Sequence, residues 1–267
     1  MIETMFSTTE LSDPAFEQQH LRFITVKTPH LKGRGDICVF VPPGHDLHDL
    51  PLVILLHGVY GSAWVWAFKG GVHLTALQMI LEQQICPMVL AMPSDGLWGD
   101  GSAYLAHHAY DFERWIVDDV PTAIRENIPS VSQNSPQFIS GLSMGGFGAL
   151  RLGCKYPDRF RAISAHSSIT AIDQMPLFVE EPLAEYQSAP PVDHSVWQTL
   201  LAAPTPPPLR FDCGTEDLLI EHNRTLHRQL TEAQIDHTYE EFPGGHEWPY
   251  WQTHIRDSLR FFHQQLA

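Results

Sequence analysis

Two rhythms of hydrophobic and polar positions alternate along the chain. Leu21 to Thr28 and Gly35 to Val41 alternate apolar with polar residues and are joined by Lys32-Gly33-Arg34-Gly35, which predicts an antiparallel hairpin at one edge of a sheet. Pro42-Pro43-Gly44 closes it, and an acidic, histidine-containing loop runs on to Leu50. Mostly apolar runs follow at Pro51 to Leu56, Cys86 to Pro93, Gln137 to Leu142 and Phe160 to Ala165; Pro208 to Gly214 then resumes the sheet, and His237 to Phe242 reads as its last strand. Such runs are what strands buried on both faces require. Helical spacing separates them over Val72–Gln84, Asp111–Asn127, Met144–Lys155, Glu221–Ala233 and Glu247–Gln265. In the second of these, Phe112, Trp115, Ile116, Val120 and Ile124 share a face, and Pro121 is expected to kink it or start a new segment.

Strand alternating with helix implies an α/β fold, with a mainly parallel sheet of about eight strands covered by helices on both faces. Residues 1–18 read as a loose or packing arm. Residues 167–208 are rich in proline and show only fragments of helical pattern, too long for a simple loop, and are expected to form a cap over the site. The whole of 1–267 reads as one domain, with 167–208 as its cap insertion.

Composition narrows the partners. A hydrophobic share of 43% supports a full core, and a formal charge of −15 opposes nucleic acid and anionic membrane surfaces. No apolar run approaches about 18 residues, so no membrane span is expected, and Met1 to His20 shows no signal-peptide pattern. Four widely spaced cysteines, three of them in apolar runs, read as free buried thiols of a cytoplasmic protein. Sixteen histidines form no H-E-x-x-H or paired Cys/His pattern, so neither metal nor cofactor is expected. His107-His108 reads as part of a surface loop. The acidic surface and proline-rich insertion leave room for a homo-oligomer.

The chemistry lies at the strand ends, where open α/β sheets carry their sites. Gly141-Leu142-Ser143-Met144-Gly145 is a G-x-S-x-G pattern between a strand and a helix, a turn that lifts a serine hydroxyl out of the sheet. Serine needs a base to become a nucleophile, and the base needs a carboxylate to orient it. Gly214-Thr215-Glu216-Asp217 follows one later strand and Gly244-Gly245-His246-Glu247-Trp248 the last. The candidate triad is therefore Ser143, Asp217 and His246. Glu216 reads as a solvated neighbour, and Asp212 lies within its strand. Met144 and Val59 are the candidate oxyanion donors through their N–H groups, and His57 is expected to order its loop. Tyr60, Trp64, Trp98 and Trp248 are candidates for the substrate pocket, weighed against the commoner role of large aromatics as core.

With these residues in hand, the chain resembles the Putative esterase (esterase D-like, S-formylglutathione hydrolase-like) family of the α/β-hydrolase superfamily. The resemblance rests on Leu55-Leu56-His57-Gly58, Met92-Pro93-Ser94, Gly141 to Gly146, Gly214 to Asp217 and Gly245-His246-Glu247-Trp248, and spans Leu21 to the C-terminus. It implies an α/β-hydrolase fold and a metal-independent carboxylic-ester hydrolase acting on short or small acyl groups. The family's breadth leaves a thioesterase of the S-formylglutathione hydrolase type and an acetyl- or feruloyl-sugar esterase as alternatives. A non-catalytic ligand-binding homologue is the reading from outside enzymology.

Overall fold

A computed structural model describes residues 5–44, 47–187, 189–203 and 205–266. Residues 1–4 of the expected arm, 45 and 46 of the acidic loop, and 188 and 204 of the expected cap lie outside the described residues.

Strands and helices follow in the order β1 (Thr9–Leu11), β2 (Leu21–Thr28), β3 (Gly33–Phe40), β4 (Leu52–Leu56), α1 (Val65–Phe68), α2 (Val72–Leu81) and β5 (Val89–Pro93). A two-stranded hairpin, β6 (Ala106–His107) and β7 (Tyr110–Asp111), precedes α3 (Phe112–Arg114), a π-helical turn (Trp115–Asp119) and α4 (Val120–Asn127). Then come β8 (Gln137–Leu142), α5 (Met144–Lys155), β9 (Ala162–His166) and three 3-10 turns (Ile172–Leu177, Leu183–Tyr186, Pro191–His194). The chain closes with α6 (Val196–Ala202), β10 (Leu209–Gly214), α7 (Ile220–Glu232), β11 (Thr238–Phe242) and α8 (Trp248–Gln264).

The main sheet has nine strands in the order β1-β2-β3-β5-β4-β8-β9-β10-β11. From β5 to β11 every pairing is parallel, and β1, β2 and β3 add on antiparallel. The ninth strand corrects the reading of residues 1–18 as an arm: Thr9–Leu11 pairs with Ile24–Val26 and takes the edge expected for the β2–β3 hairpin. Three mostly exposed residues carry no core pattern, so hydrophobic periodicity could not mark them.

Burial in β4 alternates between two cores. Leu52, Ile54 and Leu56 face the layer of α3 to α7, whereas Val53 and Leu55 face the layer of α1, α2 and α8. This is the period of two expected of a strand covered on both sides. The expected break near Pro121 takes the form of the π-turn that carries α3 into α4, with Pro121 in the first turn of α4. Proline has no N–H to close the ladder there. His107 also departs from expectation. It is buried, its Nε2 lies 3.0 Å from the Ser102 carbonyl, and its ring meets Trp98, Phe112 and Tyr186, while His108 is exposed.

Candidate active site

β8 delivers the chain to Ser143, which has φ 54° and ψ −119° before α5 begins at Met144. A side chain with positive φ is strained, and the surrounding backbone must hold it there. The Ser143 N–H donates to the His166 carbonyl at 3.0 Å, and its own carbonyl accepts from Phe147 and Ile169 N–H. Gly145 lies so close to the end of β4 that a β-carbon would strike the Leu56 and His57 carbonyls. One at Gly141 would strike the Gly145 backbone. The two glycines thus permit the tight strand-to-helix turn.

Two later strand ends converge on this turn. Asp217, after β10, is buried and accepts from Leu219 N–H at 2.8 Å. His246, after β11, places Nδ1 at 2.9 and 3.1 Å from the two Asp217 oxygens. Its Nε2 lies 3.0 Å from Ser143 Oγ. The imidazole is held between Phe178 and Trp251, with ring centroids at 5.1 and 5.0 Å. Glu216 is exposed. Asp212 is fully buried and bound to His166, Arg210 and Tyr250. Burial alone would raise its pKa; His166 and Arg210 beside it keep the carboxyl below the usual range.

The loop after β4 is fixed from behind. His57 is buried, with Nδ1 2.7 Å from the Gly58 carbonyl and Nε2 accepting from Asp95 N–H at 3.1 Å, and Tyr104 donates to the His57 carbonyl. The Asp95 carboxylate in turn accepts from Leu97 and Ser102 N–H. Tyr60 N–H donates to Asp100. Val59 N–H and Met144 N–H have no acceptor among the described residues.

A cavity of about 320 Å³ opens beside Ser143 and His246. Of the sequence candidates, Val59, Tyr60, Trp64 and Trp248 line it. Trp98 does not. Its ring packs against His107, His108 and Tyr186, which draws it away under the 172–186 segment. Sequence reasoning missed Phe178, Trp251 and Lys69, which also line it. Trp251 had a signal: it sits one helical turn beyond Trp248. Phe178 comes from a stretch without periodicity. The Tyr60 hydroxyl donates to the Phe178 carbonyl, tying the β4 loop to that stretch. Burial of the hydroxyl, and after it Asp100, Glu180 and Glu181, push the Tyr60 phenol up. No cluster of metal-ligating side chains is found among the described residues.

A model of the family described as Putative esterase matches residues 28–262. An acetyl esterase of Caldicellulosiruptor saccharolyticus is 27% identical over 260 residues, covering 90% of this chain and 91% of its own. A solved ferulic acid esterase superposes with TM-score 0.80 at 21% identity, over 98% of this chain and 100% of that one. An S-formylglutathione hydrolase from Agrobacterium tumefaciens gives 0.79 at 18% identity, over 98% and 99%. These two structures share the α/β-hydrolase fold found here.

Proposed function

We propose, for a chain that belongs to the Putative esterase family and is a serine ester hydrolase, that it cleaves esters of small acyl groups through an acyl-enzyme on Ser143. The observation that carries the reading is the unbroken chain of contacts from Asp217 through His246 to Ser143 Oγ, at 2.9 and 3.0 Å. Ser143 Oγ attacks the ester carbonyl as its proton passes to His246 Nε2, and Asp217 steadies the imidazolium that forms. The oxyanion is met by Met144 and Val59 N–H, two donors with no acceptor of their own among the described residues. Collapse breaks the ester C–O bond, and His246 returns the proton to the departing oxygen. Water then attacks the acyl carbonyl as its proton passes to His246, the bond to Ser143 Oγ breaks, and His246 returns the proton to that oxygen as the acid leaves.

A small acyl group is supported by a cavity near the lower end of the range for ligand sites and by the acetyl esterase relative. The segment 167–208 acts as a cap in this reading: Phe178 forms part of the cavity wall and is bonded to Tyr60. Free cysteines support a reducing, cytoplasmic setting. Among the described residues no helix is long and apolar enough to cross a membrane.

The test is hydrolysis of p-nitrophenyl esters from acetate to decanoate beside S-formylglutathione, with wild type and Ser143→Ala. Rates that fall steeply with acyl length and vanish in the variant support the reading. A far larger rate on the thioester moves the function to thioester hydrolysis. Activity that survives Ser143→Ala overturns the mechanism.

A further inference from the structure

Around Ser143 and His246, aromatic and apolar groups form most of the cavity wall, and one charged side chain breaks the pattern. Lys69, in the turn between α1 and α2, is the one lysine or arginine among the described residues lining it. Its backbone is anchored from two helices. The N–H donates to the Val65 carbonyl at 3.0 Å, and its carbonyl accepts from Gln252 on α8 at 2.8 Å. The ammonium lies 5.6 Å from the centroid of the Trp248 ring. Lys155 has carboxylates at 2.7 and 2.9 Å, but Lys69 has none within ion-pair distance among the described residues. Lys69 is exposed at the cavity mouth, so in a chain with 31 acidic and 16 basic residues its ammonium is free to meet an anionic group on the substrate.

The two flanks of the cavity differ in charge. On the Tyr60 side, Asp100 and the 180–181 pair interlock: Glu180 N–H donates to the Asp100 carboxylate and Asp100 N–H to that of Glu181. An anion is repelled from that flank and drawn to the Lys69 flank. Both flanks reach His246: on the Lys69 side Trp248 meets Trp251 edge-on at 5.3 Å and Trp251 meets the imidazole edge-on at 5.0 Å, and on the Tyr60 side Phe178 meets it at 5.1 Å. In the mechanism above, His246 delivers its proton to the departing oxygen, so the leaving portion starts beside the imidazole and, where it is anionic, takes the Lys69 side rather than the acidic one.

From this arrangement we infer that Lys69 selects esters whose departing alcohol or phenol carries an anionic group such as a carboxylate. The body of the leaving group packs on Trp248 and Trp64, and its anion meets the ammonium. The inference rests on the triad reading and adds the charge of the substrate to it.

The test compares 4-acetoxybenzoate with its neutral isostere, methyl 4-acetoxybenzoate, in wild type, Lys69→Gln, Lys69→Glu and Lys69→Arg. The quantity read is the ratio of the two kcat/KM values within each protein, so that the esters' own reactivities cancel between proteins. The ratio is expected to fall about three- to tenfold in Lys69→Gln and further in Lys69→Glu, and to be held by Lys69→Arg. The gap between wild type and Lys69→Gln should narrow as ionic strength rises from about 0.02 to about 0.5 M. An equal ratio in wild type and Lys69→Glu at low salt overturns the inference. So does discrimination confined to an acyl-side pair, 4-nitrophenyl hemisuccinate against its methyl ester. Ser143→Ala on the neutral ester is scored in parallel. Hydrolysis that persists there removes the underlying mechanism, whereas an unchanged ratio with Ser143-dependent rates removes the Lys69 inference alone.

Discussion

At Ser143 the backbone and the side chain make opposing demands. The hydroxyl must stand clear of the sheet, and the turn that puts it there holds a β-carbon at φ 54°. Conformations of this kind cost about 1–3 kcal/mol. Ser143→Ala and Ser143→Gly should both be inactive, but glycine removes the strain that alanine keeps. After the extra freedom glycine gives the unfolded chain, Ser143→Gly should remain about 1 kcal/mol more stable than Ser143→Ala. Urea unfolding of the two variants measures this, and equal midpoints would mean no strain is stored. Asp217→Asn should keep the fold yet lose activity by about 10⁴-fold in kcat, because the amide orients the wrong imidazole tautomer. The rate on p-nitrophenyl acetate decides that. Ser143, Asp217 and His246 were legible as candidates because each sits at the end of a strand beside glycine, at Gly141, Gly214 and Gly244-Gly245. Lys69 and Phe178 were not. Their places in the wall depend on where the α1–α2 turn and the 172–186 segment come to rest, and neither stretch has a period to read.

Between elements, α5, the helix that follows Ser143, is fastened by a largely buried charge cluster rather than by apolar contact alone. Arg151 of α5 is fully buried and meets Glu113 of α3 at 2.5 Å. Lys155 reaches both Glu113 and Asp193, at 2.9 and 2.7 Å, bringing in the turn before α6. Burial pushes the Glu113 carboxyl up, but Arg151, Tyr156 and Lys155 outweigh it and hold the group down, from 4.5 to about 2. A carboxylate depressed in the folded state adds stability above its unfolded value, and that stability is lost as pH falls through the folded value. The contribution here is on the order of 3 kcal/mol, present above about pH 4.5 and drained toward pH 2. Glu113→Gln should therefore cost about 3–5 kcal/mol at neutral pH, since it leaves Arg151 short of its charge partner. The variant should also show a shallower loss of stability in that acid window. Urea midpoints at pH 7, 4.5 and 3 give both numbers; parallel pH curves for the two proteins would reject the assignment to Glu113. No pattern in the sequence pairs Arg151 with Glu113, because contacts between elements distant in sequence follow from packing. The strand–helix alternation was readable, whereas β1, the β6–β7 hairpin and the burial of His107 depended on tertiary partners.

Across the whole molecule, one sheet runs from β1 to β11, and each of its faces is covered by helices from both halves of the chain. No boundary divides the two cores along the sequence, so the chain is expected to unfold as one cooperative unit. The cysteines can report on this. Cys38 on β3, Cys154 on α5 and Cys213 on β10 are buried in different elements, and Cys86 is half-buried. Burial pushes the Cys38 thiol up to about 12, and those of Cys154 and Cys213 higher still, so their thiolates are scarce in the folded protein. Since the thiolate is the reacting form, Cys86 should be the thiol that labels in the native protein, and all four should label once the chain is unfolded. Where labelling of the other three depends on opening, each rate measures the free energy of the opening that exposes it. Pulsed alkylation with mass spectrometry across sub-denaturing urea should give Cys38, Cys154 and Cys213 one common opening energy, equal to that of global unfolding. A lower energy for Cys38 would show that the antiparallel side of the sheet, β1 to β3, opens before the parallel strands that carry Ser143, Asp217 and His246. The scaffold of the candidate site would then be an independently stable core rather than part of a single unit.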